Sequence, residues 1–135
     1  MIRKVAIVGS RTYTNRKKIK EFIFNLKQKF GKELVVVSGG QKDGADGYAK
    51  KYSLEFNVNY EEYPPQHYNH NIHCVLDARN YNKPYYVSNY FKRNKQIAER
   101  CDKMVAFVTD GRITSGTEHV IGCAKRLEKK YVIMD

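Results

Sequence analysis

The sequence of 135 residues is short of cysteine. It has three, Cys74, Cys101 and Cys123, odd in number and widely scattered. That argues against a disulfide framework and for a reducing compartment, so a cytoplasmic location is expected. No apolar run approaches the length of a membrane span, and no membrane partner is expected. The run at 5–8, behind Met1-Ile2-Arg3-Lys4, is too short for the apolar region of an export signal and stops at Gly-Ser. Low-complexity tracts and internal repeats are also missing. Acidic residues are few: 14 Asp and Glu face 25 Lys and Arg, for a formal net charge of +11. Such an excess favours anionic partners, from phosphates to nucleic acid, without choosing among them. An ordinary basic surface fits equally well, because the cations sit in scattered groups (Arg16-Lys17-Lys18, Lys92-Arg93, Lys125-Arg126, Lys129-Lys130) and form no arm or tail.

What is present is the composition of a folded domain. Hydrophobic residues make up 41% and charged residues 29%, with aromatic and β-branched residues along the whole length, which argues against disorder. The length suits a single domain over residues 1–135. Short β-branched runs predict strands at 3–8, 34–37, 56–60, 104–108 and 131–134. Between them lie helical periodicities. Ile19, Phe22, Ile23, Leu26 and Phe30 share one face of a helix from about Asn15, ended by Gly31. Ala45, Ala49 and Tyr52 line a helix starting near Gly44. Asn94, Ile97, Ala98 and Cys101 line one resuming near Ser88. Val120, Ala124 and Leu127 face inward on a last helix from Thr117, with Lys125, Arg126, Lys129 and Lys130 favourable near its C-terminus. Cys101 and Cys123 fall on apolar faces and read as core residues. Continuous apolar strands alternating with amphipathic helices predict an α/β fold. The expected form is a Rossmann-like, doubly wound, mainly parallel sheet of about five strands with helices on both faces.

Ligands of such sheets bind beyond the carboxyl ends of the strands, and the glycine clusters of this sequence fall there. Gly9-Ser10-Arg11 follows the first strand. Ser38-Gly39-Gly40 and then Asp43-Gly44-Ala45-Asp46 follow the second. Asp110-Gly111 and Ser115-Gly116-Thr117 follow the fourth. Glycine lets backbone amides approach an anion, and the start of the last helix aims free amides at one point. Arg11 and Arg93 are candidates for charge-assisted bonds to phosphate or carboxylate. Asp46 and Asp110 are candidates to accept from a ribose hydroxyl or a base. Any one cluster alone reads as a plain strand-to-helix turn; three at corresponding strand ends point to a phosphate-bearing ligand. The standard nucleotide motifs do not match. Gly9-Ser10-Arg11 lacks the second glycine of G-x-G-x-x-G, and neither Gly39–Gly44 nor Gly111–Gly116 continues with Lys and Ser/Thr as a P-loop would.

Val8-Gly9-Ser10-Arg11, Val37-Ser38-Gly39-Gly40, Gly44-Ala45-Asp46-Gly47-Tyr48-Ala49, Arg93-Asn94 and Ser115-Gly116-Thr117 together resemble the SLOG superfamily. Within it, the sequence is similar to small stand-alone proteins related to the Rossmann domain of DNA-processing protein A. The resemblance spans almost the whole chain and implies a Rossmann-like fold with a pocket for a nucleotide or nucleotide-derived ligand. It implies that Gly9, Ser10, Arg11, Ser38, Gly39, Gly40, Asp46, Arg93, Asn94, Gly116 and Thr117 line that pocket. Some relatives sense or carry ADP-ribose-like signals. Others, the cytokinin-activating enzymes, cleave the N-glycosidic bond of a nucleoside monophosphate. Those enzymes carry G-x-x-G-T-x-x-E, and here Gly116-Thr117 is followed by Glu118-His119-Val120, so their Glu position holds Val120. Glu118 lies at a different helical angle.

The stretch at 64–87 is longer than an ordinary connection and is expected to be an aromatic, His-rich insert. Tyr85 and Tyr86, with Arg79 and Lys83 as basic neighbours, are candidates to stack on a purine as a lid. A surface excursion packed on the sheet edge or on a sister subunit is the alternative. His67, His70, His73 and Cys74 match no established zinc spacing, and neither a metal nor a cofactor is expected.

Three functions compete. The first is non-catalytic binding of an ADP-ribose-like or cyclic nucleotide signal, by a sensor or a sequestering protein. The form with this insert resembles bacteriophage proteins, which implies sequestration of a host defence signal. The second is an enzyme acting on the N-glycosidic or phosphate bond of a nucleotide, with Asp46, Asp110 or Glu118 as its carboxylates. The third is a single-stranded nucleic-acid module, suggested by the charge. A homodimer or higher homo-oligomer is expected by analogy with other domains of this kind.

Overall fold

The structure, a computed structural model, describes residues 2–41, 43–63 and 87–135, with the backbone alone at 87–90. Among the described residues five strands and four α-helices alternate. β1 (Arg3–Gly9) leads to α1 (Arg16–Phe30) and, through a 3-10 turn over Gly31–Glu33, to β2 (Leu34–Ser38). α2 (Gly44–Glu55) and β3 (Asn59–Glu62) follow. α3 (Val87–Arg100), β4 (Lys103–Phe107), α4 (Ser115–Arg126) and β5 (Lys130–Met134) complete the chain. The strands form one parallel sheet in the order β3-β2-β1-β4-β5. This is the α/β, Rossmann-like, doubly wound architecture predicted from the alternation of elements.

The period of two along the strands sorts the core into two layers. Val5 and Ile7 of β1, Leu34 and Val36 of β2, and Val105 and Phe107 of β4 face Ile19, Ile23, Ala45, Ala49 and Tyr52 of α1 and α2. Their neighbours Ala6, Val8, Val35, Val37, Met104 and Ala106 point the other way, onto Ile97, Ala98, Val120, Ile121 and Ala124 of α3 and α4. Both layers exclude water, which is why the three central strands carry continuous apolar runs rather than alternating ones. Cys101 and Cys123 are buried free thiols in the second layer. No helix among the described residues is long and apolar enough to cross a membrane.

Local chemistry sets the ends of the helices. The Asn15 side chain accepts from the Lys18 amide at 3.3 Å and caps α1. Several details differ from the sequence reading. β3 starts at Asn59 rather than 56, because Phe56 caps α2 and Asn57 turns through a left-handed conformation at φ 56°. The apolar pair Phe56 and Val58 therefore belongs to the turn into the strand. α4 starts two residues before Thr117, since Thr114 takes the capping role. Leu127, expected inward, is 40% exposed because it lies one residue past the end of α4.

Candidate functional site

Strand order reverses between β1 and β4, whose carboxyl ends lie side by side with Gly9 paired to Phe107. A reversal of this kind leaves a crevice beyond the strand ends. Here it is a cleft of about 670 Å³. Its walls come from the turn after β1, the first turn of α2, the middle of α3 and the start of α4.

The turn after β1 is held by its own bonds. The Ser10 amide donates to the Phe107 carbonyl at 3.2 Å, and the Ser10 carbonyl accepts from the amides of Tyr13 and Ala45. The Ser10 and Thr12 hydroxyls are 2.8 Å apart. Arg11 is exposed on the cleft wall. On the opposite wall the Thr114 hydroxyl accepts from the Thr117 amide at 3.4 Å, and the Glu118 amide donates to the Thr114 carbonyl at 2.8 Å. That leaves the Ser115 and Gly116 amides with no acceptor inside the helix. Among the described residues, a Cβ on Gly116 would meet nothing within 4 Å, so the wall there is bare backbone.

α3 supplies the polar centre. Arg93 and Asn94 are both buried. Arg93 Nη1 donates to the Gly39 carbonyl at 3.0 Å and Nε to Asn94 Oδ1 at 2.9 Å. With Oδ1 accepting, Asn94 presents its amide nitrogen to His119 Nδ1, 3.1 Å away. His119 Nδ1 is then the acceptor, and the ring proton of the neutral imidazole sits on Nε2. Burial, and then the Arg126 guanidinium, hold the His119 pKa below its usual value, consistent with a neutral ring. Phe91 stacks on His119 at a ring separation of 4.2 Å. The two rings form an aromatic patch in the cleft wall.

Asp46, in the first turn of α2, is the buried carboxylate of the site. Its pKa is pushed up to about 6, chiefly by burial. The Arg93 charge opposes that shift, as do the Gln41 amide, which donates to Asp46 Oδ2 at 3.3 Å, and the nearby Ser38 hydroxyl. Gly39 lies between the two charged groups. A Cβ there would fall 2.1 Å from Arg93 Nη1 and 2.9 Å from Asp46 Oδ2, so only glycine fits without displacing them.

The structure brings Gly9, Ser10, Arg11, Asp46, Arg93, Asn94, Ser115, Gly116 and Thr117 into one cleft wall. Ser38, Gly39 and Gly40 are not on the wall; Gly39 contributes by binding Arg93 from behind. Asp110 and Gly111 are also off the wall, in a turn where the Asp110 amide donates to the Asp135 carboxylate at 3.1 Å. Tyr85 and Tyr86 lie outside the described residues, as do His67, His70, His73 and Cys74. Glu118 does line the cleft, although its helical angle set it apart from Val120, which is buried at the bottom of the same wall. Thr12, Gln41, Phe91, Thr114 and His119 were missed. The Thr114–Thr117 spacing is a capping signal that could have flagged one of them. The pairing of Phe91 with His119 joins two helices and has no local signature.

A family model described as the YspA, cpYpsA-related SLOG family matches residues 3–70. No curated protein matches the sequence significantly. Among solved structures, the fold is similar to the molybdenum cofactor binding protein of the phototrophic bacterium Rippkaea orientalis, at TM-score 0.71 and 16% identity, over 98% of this chain and 76% of that one. It is also similar to the molybdenum cofactor carrier protein of Chlamydomonas reinhardtii, at TM-score 0.66 and 15% identity, over 98% and 76% of the two chains. With half of its length matched by that family model, the chain belongs to the YspA, cpYpsA-related SLOG family.

Proposed function

We propose that this chain holds a small anionic, ring-bearing ligand in the cleft between β1 and β4, with a nucleotide or nucleotide-derived signal of the ADP-ribose or cyclic-nucleotide type as the preferred class. The observation that carries the reading is the bare first turn of α4. There the Ser115 and Gly116 amides have no acceptor inside the helix, both residues line the cleft, and a Cβ on Gly116 would meet no described atom within 4 Å. Arg11, which lines the same cleft from the turn after β1, adds charge. The stacked Phe91 and His119 rings suit a flat heterocycle, with Nε2–H as a donor to it. A cleft of this volume accommodates a nucleotide-sized molecule. The two structural neighbours are named for the molybdenum cofactor, which makes that cofactor the second ligand class to assay.

Holding without turnover is favoured because Val120 occupies the position where the enzymatic relatives carry Glu, and its side chain is buried and apolar. One observation favours the enzymatic alternative: Asp46, with its pKa near 6, has the perturbation expected of a general acid or base. The experiment is calorimetric titration of the purified chain with ADP-ribose, cyclic nucleotides, nucleoside monophosphates and the molybdenum cofactor, followed by chromatography of the mixture. One-to-one binding with intact ligand recovered is the expected result. Released base transfers the assignment to N-glycosidic cleavage. Absence of binding across the set, with retention of single-stranded DNA in a gel shift, transfers it to nucleic acid.

A further inference from the structure

The two edges of the sheet are built from opposite materials. β3 carries Asn59, Tyr60, Glu61 and Glu62, with Glu61 paired to Lys4 at 3.0 Å and Glu62 to Lys50 at 3.2 Å. Charges of this kind keep an edge from pairing with another chain. β5 carries a charge only at its first residue, Lys130. Tyr131, Val132 and Ile133 are 38%, 41% and 41% exposed, three large apolar side chains in succession. The register with β4 (Met104 to Tyr131, Ala106 to Ile133) puts Tyr131 and Ile133 on the α3/α4 face, and Val132 on the other. The apolar edge is therefore two-sided.

We propose that β5 pairs antiparallel with β5 of a second copy of this chain, about a twofold axis at Val132, joining the two five-stranded sheets into one. The backbone sets the hydrogen bonds. Val108 N–H donates to the Met134 carbonyl, so the peptide groups of Met134, Val132 and Lys130 point toward β4. Those of Tyr131 and Ile133 then point outward, and they have no partner among the described residues. With Val132 at the axis, Tyr131 of one copy faces Ile133 of the other, and the two outward pairs exchange N–H and carbonyl groups.

The side chains select that register. A twofold axis normal to the sheet keeps each side chain on its face, so only registers shifted by a whole residue pair compete. The Val132 register gives an aromatic–β-branched pair, Tyr131 with Ile133, on each side of the axis. It also sets Lys129 opposite Asp135 at both ends. Lys129 Nζ already donates to the Cys101 carbonyl at 2.7 Å, and Asp135 Oδ1 accepts from Asp110 N–H. An ammonium retains further protons and a carboxylate its second oxygen, so both can serve the cross-strand pair. Centring on Ile133 sets Tyr131 against Asp135. Centring on Tyr131 sets Lys129 against Ile133. Neither keeps both the apolar and the charge match. No β5 residue lines the ligand cleft, so the pairing is independent of the ligand reading.

The test is sedimentation of the purified full chain, without ligand, over a range of concentrations. The expected mass is twice the 15.8 kDa of one chain. Ile133→Pro removes an outward N–H while sparing the bonds to β4, a position where an edge strand tolerates proline. Tyr131→Lys gives β5 the kind of charge that guards β3. Both variants should sediment as monomers with unchanged circular dichroism. A wild-type chain that stays monomeric throughout overturns the proposal, and so does a folded variant that remains a dimer. If Ile133→Pro fails to fold, Tyr131→Lys decides.

Discussion

The two faces of the sheet are filled with different side chains. Under α1 and α2 lie rings: Tyr13, Tyr52 and Phe107 are buried, and Phe22, Phe30 and Phe56 pack around them. Phe22 and Tyr13 each sit 5.6 Å from the Phe107 ring. Under α3 and α4 the buried residues among those described are Val, Ile, Ala, Met and Cys, with a partly buried Tyr63 beside them. The ringed face is closed by large groups in mutual contact. The other face is built from small groups, and the cleft opens beside it. Val8, Ile97 and Val120 belong to that core and to the cleft wall at once. Among the described residues the rings thus fill one side of the sheet, while the cleft draws its apolar wall from the core of the other.

The largest effect that tests this division is Phe107→Ala. Phe107 is fully buried at the end of β4, and truncating it should destabilise the chain by about 3–5 kcal/mol in urea unfolding. Ile97→Val, on the side of the cleft, should cost about 0.5–1.5 kcal/mol and mainly reshape the cleft. Equal losses from the two would dissolve the comparison.

Next in size is a pH effect at Asp46. The folded pKa, about 6, lies above the ordinary value of 3.8, so the folded chain binds the proton more tightly than the unfolded chain does. The sign follows. The contribution is fully present below pH 3.8 and is lost as pH rises through 6. The loss is on the order of 3 kcal/mol at most. Asp46→Asn cannot titrate, so the stability of the variant relative to wild type should climb between pH 4 and pH 8. A difference that stays flat across that range would mean that Arg93 and the Gln41 amide cancel the burial.

Smaller again is Gly39→Ala. The new methyl overlaps Arg93 Nη1 and presses on Asp46, and overpacking of this kind costs about 1–3 kcal/mol. Fluorescence-detected unfolding reads the stability loss. The pH slope of the variant should also steepen, because moving Arg93 away from Asp46 weakens the charge that opposes the upward shift of the carboxyl pKa.

Much of this division was legible in the residues themselves. β1, β2 and β4 announce themselves because both faces are covered, so their apolar runs are unbroken. β3 was displaced because its sequence, Asn59 to Glu62, is that of a guarded edge, while the nearby apolar residues Phe56 and Val58 serve the turn before it. Glycine clusters marked the turns that carry the cleft, and Arg93 and Asn94 came from the family resemblance. Two glycine clusters proved to be off the cleft wall: a turn signal says that the backbone bends, not which wall it bends toward. His119 and Phe91 were invisible because their meeting depends on how α3 and α4 cross. The raised pKa of Asp46 was equally out of reach, since it is a property of burial.

The smallest effect on stability discriminates most sharply. Gly116 is the second residue of α4, and an added methyl there meets no described atom within 4 Å. Helix propensity favours alanine over glycine by up to about 1 kcal/mol. If glycine served only the fold, Gly116→Ala would be neutral or mildly stabilising and nothing more. The ligand reading adds a second consequence, because the methyl occupies the space from which an anion reaches the Ser115 and Gly116 amides. Affinity for the ligand identified by titration should then fall by at least about tenfold, near 1.4 kcal/mol, while thermal unfolding of the free chain stays put or rises. Gly116→Val should deepen the loss of affinity, whereas Gly122→Ala, an equally open glycine on the same helix but off the cleft wall, should leave it alone. Unchanged affinity in Gly116→Val would separate the first turn of α4 from ligand binding and move the anion site elsewhere on the molecule.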